Sequence, residues 1–167
     1  MNEPRWLSER EQCAWRGFTT MRRKLDSALN RQLVREAGLS SADYELLVPL
    51  SEAPGQQLRA RDLARAVDWE KSRLSHHINR MRQRGLISRE DCPTDARGAV
   101  IRLTEQGRHA IEAAAGDHVE TVRRYFIDLL SAEEIDTLTS IADRVLNRLA
   151  DGAPHDVPTT GLRALPN

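Results

Sequence analysis

Apolar residues recur at helical spacing through both ends of the chain, and the middle breaks into shorter pieces. Near the start, Ala14, Trp15, Phe18, Met21, Leu25, Ala28, Leu29, Leu33 and Ala37 share one face and predict a long helix over 8–37. Ser8-Glu9-Arg10-Glu11 reads as its capping box, and Gly38 as its stop. Ser40 and Asp43 open a second helix with Tyr44, Leu47, Val48 and Leu50 turned inward, where Pro49 predicts a kink or an early end. Ala53-Pro54-Gly55-Gln56 is a loop. A short helix over 58–67 follows, in which Leu58 could also form a lone bridge to a later strand. Asp68-Trp69-Glu70 then links it to a helix over 70–84 with Leu74, Ile78 and Met81 at i, i+4 and i+7. Gly85 ends that helix, 86–89 and 99–103 are short strands, and Cys92-Pro93-Thr94-Asp95-Ala96-Arg97-Gly98 turns between them. Thr104 caps a second long helix over 105–130, and Ser131-Ala132-Glu133-Glu134 caps a last one ending near Ala150. Asp156 to Asn167 is rich in Pro, Thr and Gly and reads as a disordered tail.

The helix over 70–84 carries the chemistry. Opposite its apolar stripe stand Ser72, Arg73, Ser75, His76, Asn79, Arg80 and Gln83, a donor-rich face with no acidic residue. Such a face is ordinarily just solvated. Here a short helix precedes it across a three-residue link, as a helix-turn-helix requires, and a hairpin with an arginine near its tip follows at once. That order describes a winged helix suited to duplex DNA. The fold expected is therefore mainly α with a small β-hairpin wing.

Charge sharpens the picture. The 167-residue chain has a formal net charge of zero, which argues against a uniformly basic nucleic-acid binder. Between residues 58 and 102, however, eleven basic side chains face six acidic ones, a local +5 balanced by −5 elsewhere. Only the local field matters within a Debye length of about 8–10 Å. No apolar run approaches the roughly 20 residues of a membrane span, no signal-peptide core stands at the N-terminus, and the cysteines, Cys13 and Cys92, suggest no disulfide framework. The expected location is the cytoplasm, with no membrane partner.

The order of elements resembles the multiple-antibiotic-resistance regulator (MarR) family of bacterial transcription factors over residues 8–150. The resemblance is most specific in RMRQRGLISRE and DARGAVIRLTEQGR, where Asp95-Ala96-Arg97 and Leu103-Thr104-Glu105-Gln106-Gly107 match the family's wing. The stretch Trp69-Glu70-Lys71-Ser72-Arg73-Leu74-Ser75-His76 looks like an actinobacterial branch. The resemblance implies a recognition helix over 70–84 that enters the major groove. Ser72, Arg73, Ser75 and His76 would lie near the bases, with Arg73 the foremost reader, and Asn79 and Arg80 nearer phosphates. Arg97 would enter the minor groove, oriented by Asp95. Glu70 departs from the usual Ser, Asp or Asn cap, and Asp68 is the alternative. Trp69 is expected to pack on the preceding helix rather than enter DNA.

The end helices carry more apolar stripe than one small winged helix can cover. This points to a two-fold dimer with dimerisation helices at 8–37 and 105–150, a winged helix-turn-helix at 38–104 and a tail at 151–167. The function expected is a sequence-specific regulator, most simply a repressor, that binds a palindromic operator as a homodimer. Family members bind small aromatic acids, and Trp15, Arg16, Phe18, Tyr44 and His118 are the residues the resemblance offers for such an effector. Cys13 with Tyr44 would alternatively sense peroxide, and a winged helix that only dimerises or holds a protein is the rival of another class. No metal is expected, because His76 and His77 point about 100° apart on a helix and zinc-binding helices space their ligands at i, i+4. No cofactor loop, nucleophile elbow or catalytic constellation appears, so no enzyme is expected.

Overall fold

The computed structural model describes residues 4–91 and 98–152. Six helices and three strands follow in the order α1 (Glu9–Ala37), α2 (Ser41–Glu52), β1 (Gln57–Arg59), α3 (Ala60–Ala66), α4 (Lys71–Gln83), β2 (Ile87–Asp91), β3 (Ala99–Leu103), α5 (Glu105–Tyr125) and α6 (Ala132–Gly152). The capping chemistry sets most of these boundaries. Ser8 with Glu11 and Ser40 with Asp43 form reciprocal capping boxes. Ser131 and Glu134 exchange the same two bonds, Ser131 N to Glu134 Oε2 at 2.8 Å and Glu134 N to Ser131 Oγ at 3.3 Å. Thr104 Oγ1 accepts from Gly107 N at 3.0 Å and donates to Gly85 O at 2.6 Å, so one hydroxyl starts α5 and ties it to the end of α4.

Leu58 belongs to a true edge strand. β1 pairs antiparallel with β3, which pairs antiparallel with β2, giving the order β1-β3-β2. The core sits where α1's last turns, α2, α3, α4 and α5 meet the inner face of this sheet. Leu33, Leu47, Leu63, Met81 and Ile101 are sealed within it.

Two expectations are corrected. α2 does not end at Pro49 but runs on to Glu52. Leu46, Leu47 and Leu50 are all buried, so packing on both sides of Pro49 outweighs its missing N–H, and Ser51 Oγ closes the end by donating to Val48 O at 2.7 Å. α5 stops at Tyr125 rather than near 130. Phe126 (φ −142°, ψ −64°) breaks it, and a 3₁₀ turn over Ile127–Leu129 follows. This break lays Phe126 and Leu130 in a groove with Leu25 and Ala28 of α1.

α6 has almost nothing to pack on. Its apolar stripe, Ile135, Leu138, Ile141, Val145, Leu146 and Leu149, is 36–65% exposed. The first half of α1 is equally bare, with Trp15 59% and Phe18 48% exposed.

Candidate nucleic-acid interface

The turn between α3 and α4 is built by backbone geometry. Asp68 adopts a left-handed φ of 52°, Asp68 N donates to Arg65 O at 3.4 Å, and Trp69 N to Ala64 O at 3.0 Å. This is a Schellman closure with aspartate where glycine is usual. Asp68 therefore ends α3 and does not cap α4, whose N-cap is Glu70 without a side-chain cap bond. The far end of α4 closes the same way, with Gly85 at φ 72°, Gly85 N on Arg82 O and Leu86 N on Met81 O, both at 3.0 Å. Leu74, Ile78 and Met81 are buried. That burial fixes the helix's rotation and leaves Ser72, Arg73, Ser75, His76, Asn79 and Arg80 all exposed on its outer face. The bare N-terminal N–H groups and the dipole add positive potential at the same end.

Trp69 is 7% exposed and belongs to the core cluster. It reaches further than the adjoining α3. Its Nε1–H donates to Glu45 Oε1 of α2 at 3.0 Å, and His77 meets its ring edge-on at 4.9 Å. The Arg73 guanidinium lies over its face, 3.7 Å from the centroid. Burial, then the charge of Arg80, holds the His77 imidazole below its ordinary pKa, so it is neutral at pH 7. The rings of His76 and His77 stand 5.9 Å apart and perpendicular. His77 thus serves the indole while His76 faces solvent.

A second concave site lies between α2 and α5. Tyr44, Val48, His118, Val119, Val122, Arg123 and Ile127 line a cavity of about 400 Å³. The Tyr44 and His118 rings are 4.4 Å apart, and His118 Nδ1 is buried without a hydrogen-bond partner. Burial lowers the pKa of His118 and raises that of Tyr44, with Glu52 adding to the latter. Both are neutral at pH 7. Arg123, the cation at the rim, is bonded to Asp128 at 2.7 Å.

A family model described as the MarR family matches residues 37–98. The structure also superposes on AbsC, a MarR family transcriptional regulator from Streptomyces coelicolor, at 42% identity and a TM-score of 0.83, covering 89% of this chain and 99% of that one. The chain belongs to the MarR family. It is a winged-helix transcriptional regulator, and its likeness extends to Sco3205, a MarR family regulator of the same organism solved in complex with DNA. There the identity is 37% and the TM-score 0.84, with 92% and 98% of the two chains covered. YdgJ of Bacillus subtilis, an uncharacterized HTH-type transcriptional regulator, is 30% identical over 112 residues, which span 67% of this chain and 66% of YdgJ. The two Streptomyces structures agree with the actinobacterial resemblance of the 69–76 stretch.

On this MarR chain the residues named from sequence divide between several places. The six on α4 share one exposed face. Arg97, the Asp95 expected to orient it, and Cys92 lie outside the described residues, as does the tail from residue 153. Of the five effector candidates, Tyr44 and His118 come together. Trp15 and Phe18, with ring centroids 6.0 Å apart, and Arg16 stand on the outer half of α1 and line none of that cavity. Arg16 shares a shallow groove with an exposed Cys13 and Met21. Sequence reasoning missed Val48, Val122 and Arg123, whose helical spacing reads only as core and surface. It also missed Arg84, which bonds Asp43 and Gly38. Among the described residues, no helix is long and apolar enough to cross a membrane.

Proposed function

We propose that this chain is a cytoplasmic homodimeric repressor that reads a palindromic duplex site through α4 and releases it when a small aromatic acid binds between α2 and α5. The observation that carries the DNA reading is the outer face of α4. Six polar or basic side chains stand exposed there with no carboxylate among them, on a helix whose rotation the buried Leu74, Ile78 and Met81 fix. Arg73, in the first turn, contacts guanine bidentately, with Ser72, Ser75 and His76 beside it. Asn79 and Arg80 take phosphates, and Arg97 the minor groove. The bare apolar faces of α1 and α6 supply the second copy, which sets two recognition helices near 34 Å apart. A gel shift on the gene's own upstream region at several salt concentrations tests this. Affinity falls steeply with salt, and Arg73→Ala and Arg97→Ala each weaken it without dissociating the dimer. Salt-insensitive binding, or none, favours the protein-interaction rival.

The effector reading is supported by the neutral Tyr44–His118 pair and the unpartnered Nδ1 of His118 in an apolar cavity. Tyr44 and Glu45 are chain neighbours. An occupant that shifts α2 therefore reaches Trp69, and with it α4, through one hydrogen bond. Benzoate-class acids weaken DNA binding by roughly 5- to 150-fold in this scheme, and Tyr44→Ala abolishes that response.

A further inference from the structure

A long arginine loses rotamer freedom when it locks onto a base edge, so whatever holds it beforehand adds to its reading. Arg73 is held. Its Cζ stands 3.7 Å from the centre of the Trp69 ring. Trp69 stands one residue before the N-cap of α4 and Arg73 in its first turn, and the chain's entry into the helix lays the guanidinium over the indole. We propose that Trp69 is the positioning residue for Arg73, presenting its guanidinium to the major groove ready formed. This rests on reading α4 as the base-contacting helix.

Three features support it. First, the platform is itself fixed. The indole is almost wholly buried, bonded to Glu45 through Nε1–H, and buttressed edge-on by His77. Second, stacking occupies the face of the guanidinium and leaves its five N–H donors, which radiate in its plane, available for an acceptor pair such as guanine O6 and N7. An ion pair would consume the same donors. Among the described residues no carboxylate or carbonyl bonds Arg73, although Glu70 lies nearby in the chain. Third, the neutral His77 puts no second cation against the ring. The indole face is left to Arg73.

The test is a double-mutant cycle on the full-length protein. Its probes are a duplex selected from a randomised pool and poly(dI-dC) as the non-specific competitor. Trp69→Leu lowers the ratio of selected to non-specific affinity by roughly two- to fivefold, the size of an exposed cation–π contact. Trp69→Phe, which keeps an aromatic face, loses less. In an Arg73→Ala background, neither Trp69 substitution changes the ratio further. If Trp69→Leu fails to fold, Trp69→Phe carries the cycle alone. Equal losses with and without Arg73 would overturn the proposal and leave Trp69 a core residue. Should Arg73→Ala by itself leave the ratio unchanged, the assignment of Arg73 as base reader fails first, and the positioning role with it.

Discussion

Arg84 ties the end of α4 to the rest of the lobe. Its Nη1 donates to Asp43 Oδ2 and its Nη2 to Gly38 O, each at 2.6 Å. One side chain thereby joins the end of α1, the start of α2 and the end of α4. The Asp43 side chain is 6% exposed and that of Arg84 40%, so the pair is neither fully buried nor a screened surface bridge. Arg84→Ala is expected to cost about 2 kcal/mol of stability, the scale of hydrogen bonds to a charged group, read by urea unfolding. Burial pushes the Asp43 pKa up, but the bonds from Ser40 and Arg84 outweigh it, and the net direction is down. A lowered folded-state value means this carboxylate's contribution is complete above the unfolded value of about 3.9 and is lost as pH falls below it through the folded one. The melting temperature of the parent should therefore drop on acidification through that window. Asp43→Asn should start lower at neutral pH and lose less across it. Equal acid sensitivity in both would show that other carboxylates govern the transition.

Helices and strands carry the next layer, and Gly107 shows how tightly two of them meet. A Cβ built at Gly107 would fall 2.0 Å from Leu86 O and 2.9 Å from Leu103 Cδ1, whereas one at Gly116 meets nothing within 4 Å. Gly107→Ala must push α5 off the Leu86 carbonyl just ahead of β2, at an expected cost of about 3 kcal/mol. Gly116→Ala, in the same helix, should gain roughly 0.5–1 kcal/mol from helix propensity. Thermal melts of the two variants separate close packing from propensity, since propensity alone would shift both upward. Gly107 lies in the Leu-Thr-x-x-Gly stretch that signals the family, so this contact was legible as a motif although its cause was not. The same division runs through the chain. The capping boxes at Ser8, Ser40 and Ser131, and the left-handed Gly38 and Gly85, were legible because their chemistry closes within a few residues. The stripe Leu74, Ile78 and Met81 fixed which face of α4 looks outward. What escaped were outcomes set by partners distant in the chain. Leu46 and Leu50 carry α2 past Pro49, and Phe126 leaves α5 early to cover α1. Arg84 meets an aspartate 41 positions away. Tyr44 and His118 could be named singly, but the Val48 and Arg123 beside them could not, because only the crossing of α2 and α5 makes a cavity of them.

For the whole molecule, the surface must account for a neutral chain that approaches a polyanion. The excess of +5 lies between residues 58 and 102, whereas residues 1–37 carry +3, residues 38–57 carry −3 and residues 103–167 carry −5. Beyond a Debye length of about 8–10 Å these regions hardly interact, so the 58–102 segment meets DNA as a basic surface while the acidic excess lies toward the C-terminal helices. That polarity orients a single copy. It does not supply enough contacts for one short helix to hold a site alone. Doubling does, because a second recognition helix on the same duplex binds at the effective concentration its partner sets, a gain of roughly 10²–10⁴. The surface available for doubling is the bare stripe of α6 with the outer half of α1. Ile141 is 43% and Val145 52% exposed on adjacent turns of α6. Replacing both with glutamate leaves the lobe's core untouched, since neither residue belongs to it. Sedimentation should then report a monomer with the parent's helical circular dichroism. Affinity for the selected duplex should fall about a hundredfold or more, and affinity for poly(dI-dC) much less. A double variant that still sediments as the parent would move the dimer contact off α6. One that became monomeric yet kept full affinity would mean that a single α4 and its wing suffice.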